Sequence, residues 1–331
     1  MIAAGLVWLG WAGIGAVAGP GVAGAAERIN TAYISVTPSA SAALWVAKDA
    51  GLFERNGLQA NVIFIFGTTR GIQALLAGET PLVESGGPAV IHARLGGADV
   101  VMVAGTVGVL PYYLVTTPDI RTPADLKGKV GANHIPGTTA EFALRFGLRG
   151  LGLDPASDVT LQVIGGSMDR MIALQRGMAK FTVTTEPGKV LAEKLGFRIL
   201  VDFASLKIPF QQTGIATTRR FAESRPDTVR RYIRAVAQAI HVYKTQKERA
   251  IQIMRKYSRM ENLAVLEGSY EWHQKFFQES PLPSVEAFRR TLQEIGRTQP
   301  AALRADPQEF VDLRFARELE ESGFIRQLYG R

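Results

Sequence analysis

From Ile29 to Val36 apolar and small polar side chains alternate, the period-two pattern of a strand with one covered face. Pro38 stops that pattern, and Ser39 or Ser41 stands where a helix N-cap belongs. Ala43, Val46, Ala47 and Ala50 then recur at three- and four-residue spacing, which predicts a helix. Gly51 follows its last turn, in the place of a left-handed C-terminal residue. Val62 to Phe66 is a short unbroken apolar run, as in a strand covered on both faces. Gly67, Thr68 and Thr69 open a second helix that ends at Gly78. Two strand ends thus each feed a hydroxyl-rich turn and a helix start, and in an open α/β sheet ligands gather at that edge.

The same alternation continues. Short apolar runs at Pro81–Ser85, Val100–Ala104, Tyr112–Thr116, Lys129–Ala132, Val159–Ile164, Lys180–Thr184 and Phe197–Val201 predict strands. Helices are predicted from Pro88 to Arg94, Thr138 to Gly150, Met168 to Gly177 and Glu186 to Gly196, and almost throughout after Phe221. Thr138 with Glu141 has capping-box spacing. Strand–helix alternation is the mark of an α/β fold, and 331 residues suit two lobes better than one core. A polar shift near Thr116–Arg121 marks the second lobe, giving 28–115 and 218–331 as lobe one and 116–217 as lobe two. Extended stretches at Val109–Thr116 and Gln211–Thr217 then form a paired hinge that allows closure.

The segments WVAKDAGLFERNGL, GTTRGIQALLAGE, LAEKLGFRIL and FVDLRFARELEESGFIRQLY carry a resemblance over nearly all of the chain after residue 28. The chain resembles the periplasmic solute-binding proteins of ABC importers, most closely the NMT1/THI5-like group that binds sulfonates, nitrate and thiamine precursors. The resemblance implies a periplasmic-binding-protein type II fold, two α/β lobes on a two-strand hinge. It also implies a small-molecule ligand, an ABC permease in the inner membrane as partner, and a monomer. A likeness to the fungal thiamine-pyrimidine synthases implies a Cys-rich motif that this chain, without cysteine, lacks.

Composition narrows the chemistry. With 47% hydrophobic and 21% charged residues the chain is globular rather than disordered. Absence of cysteine removes disulfides, thiolate metal sites, Cys nucleophiles and lipidation at an N-terminal Cys. The net charge of +8 is spread over helices such as that holding Arg230, Arg231, Arg234 and Lys244, without the interleaved aromatics of a nucleic-acid surface. Residues 1–26 are uncharged, and Ala23-Gly24-Ala25 matches a signal-peptidase site. Residues 1–25 therefore read as a signal peptide of a periplasmic protein, or, lacking a basic start, as a membrane anchor.

No His pair has metal-ligand spacing, and neither a G-x-S-x-G elbow nor a P-loop occurs, so no catalytic residue, metal or cofactor is expected. What recurs is a strand end, a Gly or hydroxyl residue and a helix start: Thr37, Ser39 and Ser41; Gly67, Thr68 and Thr69; Ser85 and Gly86; Gly137, Thr138 and Thr139; Ser167; and Glu186 after Thr185. Free N–H groups at helix starts donate to anionic oxygens. The dipole contributes about 0.3–1 kcal/mol at each and charge-assisted hydrogen bonds roughly 1.5–3 kcal/mol apiece. Three or four such groups would supply the about −8 kcal/mol of a micromolar binder of a carboxylate or sulfonate with no arginine at all. Ordinary capping is the alternative use of each single turn. Trp45 is placed either to stack on an aromatic or pyrimidine ligand or to pack. Gln212 is placed to reach a ligand, and His134 either to donate to one or to lock its own turn. Glu84 or Glu186 in the cleft would favour a ligand with an amine or ring N–H, or be a protonated acid; pairing with a nearby Arg or binding backbone amides is the equal alternative. Of Tyr112 and Tyr113 alternation lets only one face the cleft. An enzyme on the same fold and a membrane-anchored solute sensor are the alternative functions.

Overall fold

The computed structural model describes residues 26–38, 41–206 and 208–331. The signal-or-anchor segment 1–25 and Ser39 lie outside the described residues. Among the described residues no helix is long and apolar enough to cross a membrane.

The chain opens with β1 (Glu27–Tyr33), α1 (Ala42–Asp49), the single turn α2 (Leu52–Arg55), β2 (Leu58–Phe64) and α3 (Thr68–Leu76). It continues with β3 (Leu82–Ser85), α4 (Gly87–Leu95) and β4 (Val100–Val109). Then come β5 (Tyr113–Thr116), β6 (Val130–Asn133), α5 (Thr139–Gly150), β7 (Thr160–Val163) and α6 (Ser167–Gln175). β8 (Phe181–Thr184), α7 (Glu186–Lys194), β9 (Arg198–Asp202) and β10 (Pro209–Thr218) follow. The remainder is helical: α8 (Arg219–Ser224), α9 (Pro226–Thr245), α10 (Lys247–Ser258), α11 (Leu263–Phe276), α12 (Val285–Ile295), α13 (Arg314–Glu321) and α14 (Phe324–Leu328). β2 begins four residues before the apolar run at Val62. There buried Leu58 and Ala60 alternate with exposed Gln59 and Asn61, the signature of a strand with one wet face.

Two five-stranded sheets result, in the orders β2-β1-β3-β10-β4 and β7-β6-β8-β5-β9. In each, four strands share one direction, and one antiparallel strand wedges between the third of them and the fourth, at the edge. That wedge is β10 in the first sheet and β5 in the second, each the first strand after a crossing between the sheets. The crossings therefore occupy residues 110–112 and 203–208. This corrects the sequence expectation, which put Tyr113–Val115 in the first lobe and Gln211–Thr217 on a crossing in the second. Both strands are buried on both faces, so either sheet satisfies their side chains; only the hydrogen-bond ladder decides.

α1 and α9 pack on the first sheet through an apolar cluster that holds Leu44, Phe53, Tyr232 and Tyr243. A second cluster runs through both sheets, from Val83 and Met102 to Leu114 and Phe181, and Phe142 of α5 stacks on Phe210 of β10 at 5.3 Å. The two halves are thus in apolar contact behind the edge where their parallel strands end.

Candidate ligand-binding cleft

A cavity of about 270 Å³ lies between the sheets, at the C-terminal ends of the parallel strands of both. From the first sheet it receives Ser35 to Thr37 after β1, Ser41 before α1, Phe66 to Thr68 at the start of α3, Glu84 on β3, and Gln212 with Thr213 on β10. From the second it receives Tyr112, His134 after β6, Thr138 and Thr139 at the start of α5, the first turn of α6 from Gly166 to Arg170, and Thr184 with Thr185 after β8. Five helix starts, those of α1, α3, α5, α6 and α7, converge on it.

Of the residues singled out by sequence, Thr37, Ser41, Gly67, Thr68, His134, Thr138, Thr139, Ser167 and Gln212 meet there. Gly67 takes φ +81°, and a side chain at that position would press on His134 Cε1, 3.3 Å away across the cleft. Tyr112 faces the cavity while Tyr113 turns to Glu186, as strand alternation requires.

The others lie elsewhere. Thr69 and Gly137 line a second space behind the first, where the Thr69 hydroxyl donates to Pro136 O at 3.2 Å. Ser85 and Gly86 are buried at the end of β3 outside the cavity lining, and a Cβ on Gly86 would collide with Thr139 Oγ1 and stand 2.8 Å from Gln212 O. Glu186 accepts the Tyr113 hydroxyl at 2.8 Å instead of entering the cavity, because strand β5 carries that hydroxyl to the start of α7. Trp45 is fully buried, T-shaped to Tyr33 and stacked on Tyr257 at 5.3 Å. It is core, not a ligand platform: the face of α1 that carries it meets α10, an element whose packing the local pattern did not reveal. Ser41 also departs from its expected role, since its hydroxyl caps nothing and donates to Glu84 Oε2 at 2.6 Å.

The structure adds what the hydroxyl pattern omitted. Arg170 is buried in the cavity wall. Its Nε donates to Thr182 Oγ1 (3.0 Å), Nη1 to Gly165 O (2.6 Å) and Nη2 to Val183 O (3.0 Å). Three of a guanidinium's five N–H groups are thereby used, all on uncharged acceptors. Burial pulls its pKa down to about 10, so it is charged at neutral pH. The hydroxyl pattern did not point to it: the one signal in sequence is its place on the first turn of α6, beside Ser167.

Burial, and then the neighbouring Arg170, lower the His134 pKa to about 4, so the ring is neutral at pH 7. It packs on Phe66 with centroids 5.1 Å apart. On the facing wall burial raises the Glu84 carboxyl to about 7 against the hydrogen bonds from Ser41 and from Ile34 N (3.2 Å), which favour the anion. Three buried polar atoms of the lining, Thr68 Oγ1, His134 Nδ1 and Thr139 Oγ1, have no hydrogen-bond partner among the described residues. Buried polar atoms are normally satisfied, so three orphans around one cavity point to a polar ligand.

The family model described as NMT1/THI5 like matches residues 39–250, well over half of the chain. The chain belongs to the NMT1/THI5-like family. Among solved structures, a protein of Bordetella bronchiseptica is similar at TM-score 0.79 and 18% identity, over 89% of this chain and 98% of that one. The alkanesulfonate-binding protein SsuA of Xanthomonas axonopodis, bound to MOPS, is similar at TM-score 0.72 and 20% identity, over 86% and 98%. The periplasmic nitrate-binding protein NrtA of Synechocystis is similar at TM-score 0.74 and 13% identity, over 89% of each chain. No curated protein matches the chain significantly in sequence. The fold of this NMT1/THI5-like protein is that of the periplasmic binding proteins, and the solved structures similar to it are mostly named as solute-binding proteins.

Proposed function

We propose that this NMT1/THI5-like protein is an extracytoplasmic solute-binding protein. It captures a small organic anion, a carboxylate or sulfonate, between its two lobes and presents it to an ABC-type permease of the inner membrane. The observation that carries this reading is Arg170: a charged guanidinium, buried in the cavity wall, with N–H groups to spare. A buried charge without a partner is costly, and an anionic ligand offsets that cost. The helix starts of α5 and α6 add amide donors around it. Lobe boundaries at the crossings 110–112 and 203–208 would let the walls separate and close as rigid bodies, so that the solute shifts the population toward the closed form. The protein acts as an exported monomer, with residues 1–25 as its leader, and makes or breaks no bond.

Isothermal titration with a panel of small carboxylates, sulfonates, aromatic acids and pyrimidines tests this, with small-angle scattering on each hit. A micromolar anion whose binding compacts the protein supports the reading. A panel in which anions neither bind nor compact it overturns it.

A further inference from the structure

We infer that the solute is amphoteric: its acid group sits on Arg170 and a protonated nitrogen at its other end sits on Glu84. The inference rests on the solute-binding reading above and deepens it.

The two groups stand on opposite walls, Glu84 on β3 of the first sheet and Arg170 on α6 beside the second, and both line the one cavity. Both are almost wholly buried. Among the described residues neither forms an ion pair. Among the described residues Glu84 receives the Ser41 hydroxyl and the Ile34 amide, both on Oε2, and nothing on Oε1. Arg170 donates to one hydroxyl and two carbonyls. Asp169, adjacent on α6, is exposed and accepts the Gly166 amide at 3.0 Å.

A buried guanidinium and a buried carboxyl, facing one space and matched across it by no counter-charge among the described residues, are complementary to a solute with an acid at one end and a protonated nitrogen at the other. A plain anion meets only half of this surface. It would bring its acid into a cavity of about 270 Å³ that also holds the Glu84 carboxyl, and like charges held so close oppose binding. A plain cation meets the converse difficulty at Arg170. The cavity lies just below the usual size of small-molecule pockets, which limits the solute to a short backbone between its two ends. Phe66, Tyr112 and Met168 offer apolar surface for that backbone.

The test is titration of the full chain with matched probes of two to four carbons: ω-aminoalkanesulfonates against alkanesulfonates, ω-amino acids against the parent carboxylic acids, and alkylamines. The amino member of at least one acid pair should bind ten-fold or more tighter than its partner, and alkylamines alone should not bind. Glu84→Gln should collapse that preference to within about three-fold while retaining binding of the plain acid. Should the plain acids, or only non-amino acids of the wider panel, bind as tightly as or tighter than amino members, the amphoteric assignment is overturned and the anion-binding reading survives. Failure of every acid, amino or not, overturns the anion-binding reading itself.

Discussion

On the wall built by the first sheet the cleft presents hydroxyls and the Glu84 carboxyl; on the wall built by the second it presents hydroxyls, a neutral His134 and the Arg170 guanidinium. The architecture of the two walls is the same: parallel strands ending at helix starts, with one antiparallel strand wedged in from a crossing. What differs is the buried ionisable side chain each wall carries, Glu84 on one and Arg170 on the other, with Asp169 exposed beside Arg170. Repeated topology supplies amides and hydroxyls on both sides without distinction. Sign and specificity come from single residues placed on that repeated frame. The two halves touch beside the cleft: Phe66 on His134, Thr69 on Pro136, and the ion pair of Arg149 on α5 with Glu294 on α12.

The sharpest way to break this comparison is Arg170→Gln. Truncating one member of a buried charge pair costs roughly 3–4 kcal/mol, so affinity for an anionic solute should fall about 100- to 1,000-fold by titration. Arg70, exposed and 5.9 Å above the Phe66 ring, serves as the control, and Arg70→Gln should cost less than about five-fold. Equal losses at the two positions would mean that the second wall acts through general positive charge and not through a seat.

The unlike walls also differ in how protons act on the folded chain. Glu84 has a folded pKa of about 7 against an ordinary 4.5, so between those values the folded chain keeps a proton that the unfolded chain has released. Its contribution to stability is greatest at low pH and is lost as pH rises from about 4.5 to 7, a span worth on the order of 3 kcal/mol. His134 runs the other way: its folded pKa of about 4 lies below 6.5, so its contribution is present above 6.5 and lost as pH falls toward 4. In the wild type the two slopes oppose each other. Glu84→Gln should leave stability rising with pH across this window, and His134→Gln should leave it falling. Urea midpoints at half-unit steps from pH 4.5 to 7.5 would show it. Parallel profiles for the two variants would sink the assignment of opposite protonation behaviour to the walls.

Closing the walls on each other has a steric condition. Gly86, at the start of α4, faces Thr139 of α5, and a Cβ there would collide with Thr139 Oγ1 near Gln212 O. Gly86→Ala should oppose closure by about 1–3 kcal/mol, seen as a roughly ten-fold or greater loss of affinity and incomplete compaction on scattering. Wild-type affinity with full compaction would place this contact outside the closing motion.

Sequence periodicity was a good guide to the elements and to the edge where they end, because each strand–turn–helix unit is specified locally by its own apolar spacing and cap. Cleft-lining residues such as Thr68, Thr138 and Ser167 were reached that way. Sheet membership of β5 and β10 was not legible, since a strand covered on both faces carries no label for its partners. Arg170 was not legible because an arginine one turn into a helix ordinarily points to solvent, and only tertiary packing buries this one. Glu186 was misplaced because nothing near it in sequence reveals that Tyr113, seventy-three residues away, donates to it.

Trp45 gives the smallest expected effect, and the one that most directly separates wall from core. On α1 it neighbours the cleft in sequence, four residues past Ser41, yet it stacks on Tyr257 of α10 and is fully buried. Its Nε1 has no hydrogen-bond partner among the described residues, so part of its packing gain is already offset by an unsatisfied donor. Trp45→Phe loses apolar area and leaves space, which destabilises, and removes the orphaned N–H, which stabilises. The two should leave stability within about 1 kcal/mol of wild type by urea unfolding, whereas Trp45→Ala, with no ring to fill the site, should cost about 3–5 kcal/mol. Solute affinity should change less than two-fold in the phenylalanine variant, because no atom of the indole lines the cavity. A large loss of affinity at unchanged stability would return Trp45 to the cleft and show that α1 presents a different face when solute is bound.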